Sequence, residues 1–386
     1  MNNIHIIIYS ELKSYGGGRE TWLSYFLPNI INRFSRVYIY ALKRSGDSEP
    51  NLIEKSCLDI NAFYTTVITP KDYIVSVIKQ LSIKLKKNDI CLFVGSVVEG
   101  LVSKYLKIVY GDSIKCIIWI RSIAAHEIAN RHNERLYPII SRIEKTNLNS
   151  ADAVITNGKD TFRYYKKYWW NKHKRSIFTF IPNAVNIDLF DSKQNWDRPD
   201  VIKCVFVGRF VPEKGGNLLI DGFNKLNKHY PELAKKIELN IWGKGELSSL
   251  HMPWNVHYHG VAERDQVPSI LSDSHIEFFI VKNDDNASGG LSHSLLEGLA
   301  SGCICFCSNI DAYNQIINAK NGILIDSYDT SNFVEMLRNI ILDIMKKGEK
   351  YKLMSIEARK SAESNSITNH ITKFLKIVNR IQGVRK

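Results

Sequence analysis

Short apolar runs alternate with helix-like stretches along this chain, and that alternation limits the available folds more than any single motif does. Ile4 to Tyr9 is short and apolar, and Ser14-Tyr15-Gly16-Gly17-Gly18-Arg19-Glu20 follows it. A helical spacing then runs through Trp22, Phe26 and Ile30. Val37 to Leu42, Ile90 to Val94, Cys116 to Ile120 and Ala153 to Thr156 read as further strands. Helical stretches lie between them, notably Arg131 to Asn149. Repeats of strand and helix predict a parallel sheet, because parallel neighbours need a long crossover that a helix supplies. Such sheets hold ligands at the carboxyl ends of their strands, where the connecting loops emerge.

The pattern stops and starts again near residues 186 to 200. Ile181-Pro182-Asn183 closes the first half, and Asp191-Ser192-Lys193-Gln194-Asn195-Trp196-Asp197-Arg198-Pro199 is polar and turn-rich. Strand-like Lys203 to Val207 then leads through a loop into a helical Asn217 to Tyr230. Ile237 to Trp242, Ile276 to Val281 and Cys303 to Ser308 read as the next strands. At 386 residues the chain exceeds one ordinary core. The expected fold class is α/β, with two doubly wound domains over residues 1–190 and 200–365 that face each other across a cleft.

Composition excludes some classes. Hydrophobic residues make up 44% and charged residues 24%, a globular balance rather than a disordered one. The seven Cys lack metal-type pair spacing, and Cys303, Cys305 and Cys307 alternate as small core residues of a buried strand would. An odd, unpaired set suits a reducing compartment. Met1 to Tyr9 has no basic region before a long apolar run, so it reads as a first strand rather than a signal peptide. No apolar run approaches a bilayer span. The expected location is cytoplasmic, in solution or peripheral on the inner face of the membrane.

The net charge of +13 is unevenly spread. Residues 1–200 carry 29 Lys and Arg against 19 Asp and Glu, whereas residues 251–350 carry seven against thirteen. A basic first half points to an anionic partner: nucleic acid, a phosphorylated substrate or an anionic membrane.

Three loops carry chemistry. Residues 286–302, Asn-Ala-Ser-Gly-Gly-Leu-Ser-His-Ser-Leu-Leu-Glu-Gly-Leu-Ala-Ser-Gly, read as a glycine turn opening a helix. Ser292 can cap that helix, free amides at its start attract a phosphate, and Glu297 lies about two turns in. Gly208-Arg209 with Glu213-Lys214-Gly215 sets two cations on one loop after a strand, and a planar fork plus a point charge suits a diphosphate. Two solvated loop cations are the plainer explanation. Gly16-Gly17-Gly18 sits between strand and helix in the first half; it either meets a phosphate or makes a tight connection. It lacks the full dinucleotide-binding spacing.

Taken in order, these stretches resemble the retaining glycosyltransferases of family four, which have the GT-B fold of two Rossmann-like domains. The matching pieces are Val207-Gly208-Arg209-Phe210-Val211-Pro212-Glu213-Lys214-Gly215, Trp242-Gly243-Lys244-Gly245-Glu246, His259-Gly260 and residues 290–302. Gly17-Gly18-Arg19-Glu20, Ser150-Ala151-Asp152-Ala153-Val154-Ile155 and Ile181-Pro182-Asn183 fit in the first half. The resemblance implies a nucleotide-sugar donor held by the second domain and a C-terminal helix, about residues 366–386, that packs back on the first. It implies that Arg209 and Lys214 grip the donor phosphates and that Glu297 holds the ribose. Gly17, Gly18, Gly243, Gly290, Leu291 and Ser292 would complete the donor wall. It implies no cofactor and no metal, since the cations take the part a divalent ion plays elsewhere. The product would keep its anomeric configuration and serve a cell-surface polysaccharide such as lipopolysaccharide.

The family usually has a second glutamate eight positions before Glu297, where this chain has Gly289. Asp284 or Asp285 can substitute, the sugar can be held differently, or activity is weakened or lost. On the acceptor side, Arg121-Ser122-Ile123-Ala124-Ala125-His126-Glu127 is expected as a loop. His126 would contact the donor sugar, and Arg121, Glu127 and Arg131 would orient an acceptor hydroxyl. Residues 163–175 mix cations with Tyr and Trp, which suits an anionic membrane surface or a lipid-diphosphate-linked glycan. A helix with one buried aromatic side explains them equally well. Nucleic acid has no fold signature to support it. A nucleotide-sugar epimerase or phosphorylase on the same fold, or a non-catalytic sugar-nucleotide or glycan-binding partner, remains as an alternative.

Overall fold

The computed structural model describes the chain except residues 1, 14–16, 44–50, 57, 67–68, 169–175, 198, 282–290, 327 and 384–386, and the side chains of residues 130, 131 and 168. It divides into two compact units. One takes in Met1–Ala184, Ser288–Leu291 and Ile367–Lys386; the other takes in Val185–Ala287 and Ser292–Ser366.

The first unit begins with β1 (Ile4–Ile7), α1 (Gly18–Ile30), β2 (Val37–Leu42), α2 (Leu52–Ser56) and β3 (Asn61–Thr65). It continues through α3 (Pro70–Lys84), β4 (Ile90–Phe93), α4 (Val98–Tyr110) and β5 (Lys115–Ile120). Then come α5 (Ala124–Arg131), α6 (Tyr137–Leu148), β6 (Ala153–Thr156), α7 (Lys159–Tyr168) and β7 (Ile177–Phe180). The strands pair in parallel in the order β3-β2-β1-β4-β5-β6-β7. Winding therefore reverses between β1 and β4, the place where doubly wound sheets open for a ligand. Every residue of β1, β4 and β6 is buried, as expected of strands covered on both faces.

The helical stretch expected over 131–149 is two helices. α5 ends at Arg131, a single turn spans Glu134–Leu136, and α6 restarts at Tyr137. Pro138 accounts for the break, since proline is tolerated in a first helical turn but not within a helix. The Asn133 side chain accepts from the Arg135 amide at 2.9 Å and starts the new turn.

α3, α4, α6 and α7 cover one face of this sheet through a shared core that includes Tyr73, Leu81, Val102, Leu106, Leu148 and Tyr165. A second aromatic group joins Trp22 and Phe26 of α1 to Trp119 of β5 and to Phe374 of α15 (Ile367–Ile381). His370 fixes α15 there. Its Nδ1 donates to the Pro182 carbonyl at 2.8 Å, and its Nε2 accepts from the Trp22 indole at 3.0 Å. Burial, helped by the nearby Arg121 and Lys373 charges and opposed by the Pro182 bond, lowers its pKa to about 3, so the ring is neutral.

The second unit runs β8 (Ile202–Val207), α8 (Gly216–His229), α9 (Pro231–Ala234), β9 (Ile237–Trp242) and β10 (Val256–Gly260). α10 (Val267–Ser272), β11 (Ile276–Phe279), α11 (His293–Ala300), β12 (Ile304–Ser308) and α12 (Asp311–Asn314) follow. β13 (Gly322–Ile325), α13 (Thr330–Lys346) and α14 (Gly348–Glu363) complete it. The order is β10-β9-β8-β11-β12-β13, again parallel, with its reversal between β8 and β11. Cys303, Cys305 and Cys307 are all free and fully buried in this core. Among the described residues, no helix is long and apolar enough to cross a membrane.

Candidate functional site

In the second unit the motif loops leave the carboxyl ends of neighbouring strands. The Gly208 amide donates to the Trp242 carbonyl at 2.9 Å, and the Gly243 amide donates to the Gly260 carbonyl at 2.6 Å. A Cβ on Gly243 would stand 1.6 Å from the Gly208 oxygen, and one on Gly245 would stand 2.1 Å from the Phe210 oxygen. Backbone meets backbone here, so only glycine fits. Gly215 has φ +79° and caps α8, where a Cβ would fall 2.3 Å from the Ile280 oxygen.

This packing presents Arg209 and Lys214. Both are exposed, and neither has an ion-pair partner among the described residues. Desolvation by the surrounding protein lowers the Lys214 pKa even though its side chain reaches solvent. The Arg209 charge lowers it further, and Glu213 acts the other way. The two cations are thus close enough to repel, at the β8 side of the strand-order reversal.

α11 begins at His293 with Ser292 in the capping position, but the Ser292 hydroxyl meets Ser294 Oγ at 2.9 Å and makes no cap bond. Ser288, Gly289 and Gly290, together with Asp284 and Asp285, lie outside the described residues. Leu291 is buried within the first unit, where its carbonyl accepts from Asn183 Nδ2 at 2.6 Å.

Glu297 is buried little more than one turn into α11, not two. Arg264 grips it with both terminal nitrogens, Nη1 donating to Oε2 at 3.1 Å and Nη2 to Oε1. Nothing local in the sequence announces this pair, because its members are 33 positions apart. Beside Glu297, Glu277 of β11 is fully buried, and among the described residues neither of its carboxylate oxygens finds a hydrogen-bond partner. Burial first, and the Glu297 charge second, push the Glu277 pKa well above the carboxylate range. Sequence reasoning passed over Glu277, since one acid inside an apolar run carries no motif.

At the equivalent place in the first unit, Gly17 caps α1 with φ −77° and Gly18 is its first residue. A Cβ on Gly17 would meet only Glu20 Oε2 at 4.0 Å, so neither dihedral strain nor crowding demands glycine there. Gly16 lies outside the described residues. Buried Glu99, which the sequence also hid, accepts from the Tyr9 amide at 3.0 Å and stands 3.7 Å from Arg19. Burial raises its pKa, and Arg19 works against that.

The acceptor-side segment is helical from Ala124, not a loop. Arg121 is buried, donates to Asn183 Oδ1 at 2.6 Å and lies 4.8 Å from the Trp22 ring centre. Burial, with the Arg19 charge adding and Glu20 opposing, lowers its pKa to about 9. His126 is half-buried between the Tyr137 and Tyr164 rings, with centroids 4.8 and 5.3 Å away. Glu127 accepts from Ser122 Oγ at 2.6 Å. The Arg131 side chain is not described. Of residues 163–175, those up to Tyr168 form the end of α7, where Tyr165 is buried and donates to Glu144 at 2.9 Å while Lys166 and Lys167 are exposed. Residues 169–175 lie outside the described residues. A surface hollow between α13 and α14, lined by Asn339, Asp343, Lys346 and Tyr351, contains no motif residue.

Two doubly wound units with these strand orders have the GT-B fold. Residues 189–361 match the family described as Glycosyl transferases group 1. An uncharacterized glycosyltransferase of Sulfolobus islandicus rod-shaped virus 1 is 22% identical over 184 residues, covering 47% of this chain and 51% of the relative. One from Methanocaldococcus jannaschii is 24% identical over 212 residues, covering 50% and 57%. The chain therefore spans about half the length of the curated relatives it matches. Among solved structures, Anabaena HepE in complex with UDP-glucose superposes with a TM-score of 0.73 at 13% identity, over 98% of this chain and all of that one. The family match thus falls on the second unit, and the likeness to the solved structure extends the fold over the whole chain.

Proposed function

We propose that this chain transfers a sugar from a nucleotide-diphosphate donor to a hydroxyl of a glycan or lipid-diphosphate-linked acceptor. The observation that carries the reading is the Arg209–Lys214 pair: two mutually repelling cations with no ion-pair partner among the described residues, at the reversal of a doubly wound sheet. A diphosphate between them would relieve the repulsion and restore the Lys214 pKa. The charge that grows on the leaving diphosphate is then stabilised by groups already in position. HepE was crystallised with UDP-glucose, which supports a nucleoside diphosphate sugar as donor here. The family resemblance supports a hexose, retention of configuration by same-face departure and attack, no metal, and a product destined for a surface polysaccharide.

Glu297 holds the donor ribose while Arg264 keeps its carboxylate oriented. Gly17 and Gly18 approach the diphosphate, His126 contacts the sugar, and Glu127 meets the acceptor. A lipid-linked acceptor goes with peripheral attachment to an anionic leaflet, towards which the basic, aromatic segment 163–175 contributes. Gly289, standing where the resembled family usually has a glutamate, supports a second reading, a non-catalytic sugar-nucleotide or glycan-binding partner.

Mass spectrometry after incubation with a donor panel and a lipid-linked acceptor tests both. A glycosylated acceptor is expected. Tight donor binding without transfer selects the second reading, and neither binding nor turnover with any donor sinks the proposal.

A further inference from the structure

The first unit carries an unusual surface on the helical layer α3, α4, α6 and α7. α4 contacts both α3 and α6, and its inner side sends Val102 and Leu106 into the core. Its outer side ought to be polar. Instead Leu101, Tyr105, Ile108 and Val109 are exposed, at the spacing that lines up one helical face, and Ile108 is 74% exposed. α3 extends this strip with Val75 and Ile83, and α6 with Ile139. Single exposed apolar residues need no explanation, but four along one face of α4, with others exposed on the two helices it contacts, do.

Charge decides what covers it. Lys79 and Lys84 of α3, Lys104 of α4, and Arg142 and Lys145 of α6 are exposed or half-exposed around the strip. α7, on the same side of the sheet, adds Lys166 and Lys167. The only carboxylates within α4 and α6, Glu99 and Glu144, are buried. Asp72, Asp112 and Glu134 stand only at the margins, at the start of α3, past the end of α4 and before α6. A second copy of this chain would bring the same cations face to face across a twofold interface, which opposes self-association. An apolar strip within a ring of cations matches a bilayer surface rich in anionic lipid, where the hydrocarbon takes the apolar side chains and the headgroup phosphates meet the cations.

We propose that the outer face of α3, α4 and α6 docks on an anionic lipid surface, with α4 lying in the interface. The docking face deepens the attachment to an anionic leaflet proposed above; its failure would remove that attachment and leave sugar transfer, which the donor panel tests separately, standing. Flotation of the full chain with phosphatidylcholine vesicles containing about one third phosphatidylglycerol, against phosphatidylcholine alone, tests it. Binding to the anionic vesicles roughly tenfold above neutral ones is expected, and it should weaken as salt rises. Ile108→Glu should lower that binding about tenfold by placing a carboxylate in the interface. Lys104→Glu, made separately, should weaken it too and keeps the test readable if Ile108→Glu folds poorly by urea titration. No binding, equal binding to neutral vesicles, or binding untouched by both variants would overturn the proposal. So would sedimentation showing a dimer that Ile108→Glu dissolves, which would assign the face to a second copy.

Discussion

The loops that follow β1 and β8 occupy the same place in the same strand order, yet they handle charge in opposite ways. After β1, Arg19 stands 3.7 Å from buried Glu99, whose carboxylate also takes the Tyr9 amide. That cation is engaged by the fold. After β8, Arg209 and Lys214 have no ion-pair partner among the described residues, and burial with the Arg209 charge holds the ammonium below its ordinary pKa. A repelling pair costs stability unless something anionic arrives, which is why the proposed diphosphate is placed at the second loop rather than the first. Glycine differs in the same direction. Gly243 is demanded by a neighbouring backbone oxygen, whereas Gly17 sits in an ordinary conformation with open space beside it.

Variants on each side of this comparison separate packing from chemistry. Arg209→Ala or Lys214→Ala should lower turnover by about 10²–10³-fold, while the urea midpoint moves by no more than ~0.5 kcal/mol, as for other surface changes. A matching loss of stability would instead make the pair structural. Gly243→Ala should destabilise by ~3 kcal/mol, because the added Cβ meets backbone that cannot rotate away. Gly17→Ala should leave the urea midpoint within about 0.5 kcal/mol while slowing transfer. If Gly17→Ala unfolds the protein or leaves transfer intact, the contrast between the two loops is lost.

Buried carboxylates extend the comparison. Glu144 in the first unit accepts from Ser96, Tyr165 and the Ala125 amide, whereas Glu277 in the second has no such partner among the described residues. Glu144→Gln turns an amide NH₂ towards those donors and should cost about 1–3 kcal/mol by urea titration. Glu277→Gln loses no hydrogen bond and should cost less. pH gives the smallest effect. Burial raises Glu144 to about 7, and burial with the Glu297 charge raises Glu277 well above the ordinary carboxylate value, so both lie above their unfolded values. Each therefore holds its proton longer in the folded state. Their contribution is complete below the unfolded pKa and fades as pH rises through the folded one. Stability attributable to Glu277 should decline as pH rises above the ordinary carboxylate range, and Glu277→Gln should flatten that decline in midpoints measured across pH. An unchanged slope would mean that Glu277 is ionised in the folded protein.

The alternation of apolar runs was enough to read two doubly wound parallel sheets, because central strands buried on both faces must be continuously apolar. Val37–Leu42 and Ala153–Thr156 are strands over those same residues, and so is Ile237–Trp242, where Glu238 and Asn240 alternate with buried apolar residues instead. The edge strands β3, β7, β10 and β13 escaped, since their half-exposed residues have no such requirement. The break before α6 escaped as well, although Pro138 carried the signal.

At the site, the sequence by itself determined that Arg209 and Lys214 share one loop and that Glu297 lies in the helix following β11, because local spacing settles which residues leave the same strand end. Only tertiary structure decided that Arg264 would close on Glu297, that Glu277 would be buried unpartnered behind it, and that Gly243 would be glycine for the sake of Gly208. Those facts depend on contacts between segments far apart in the chain, and no periodicity within a segment records what another will press against it.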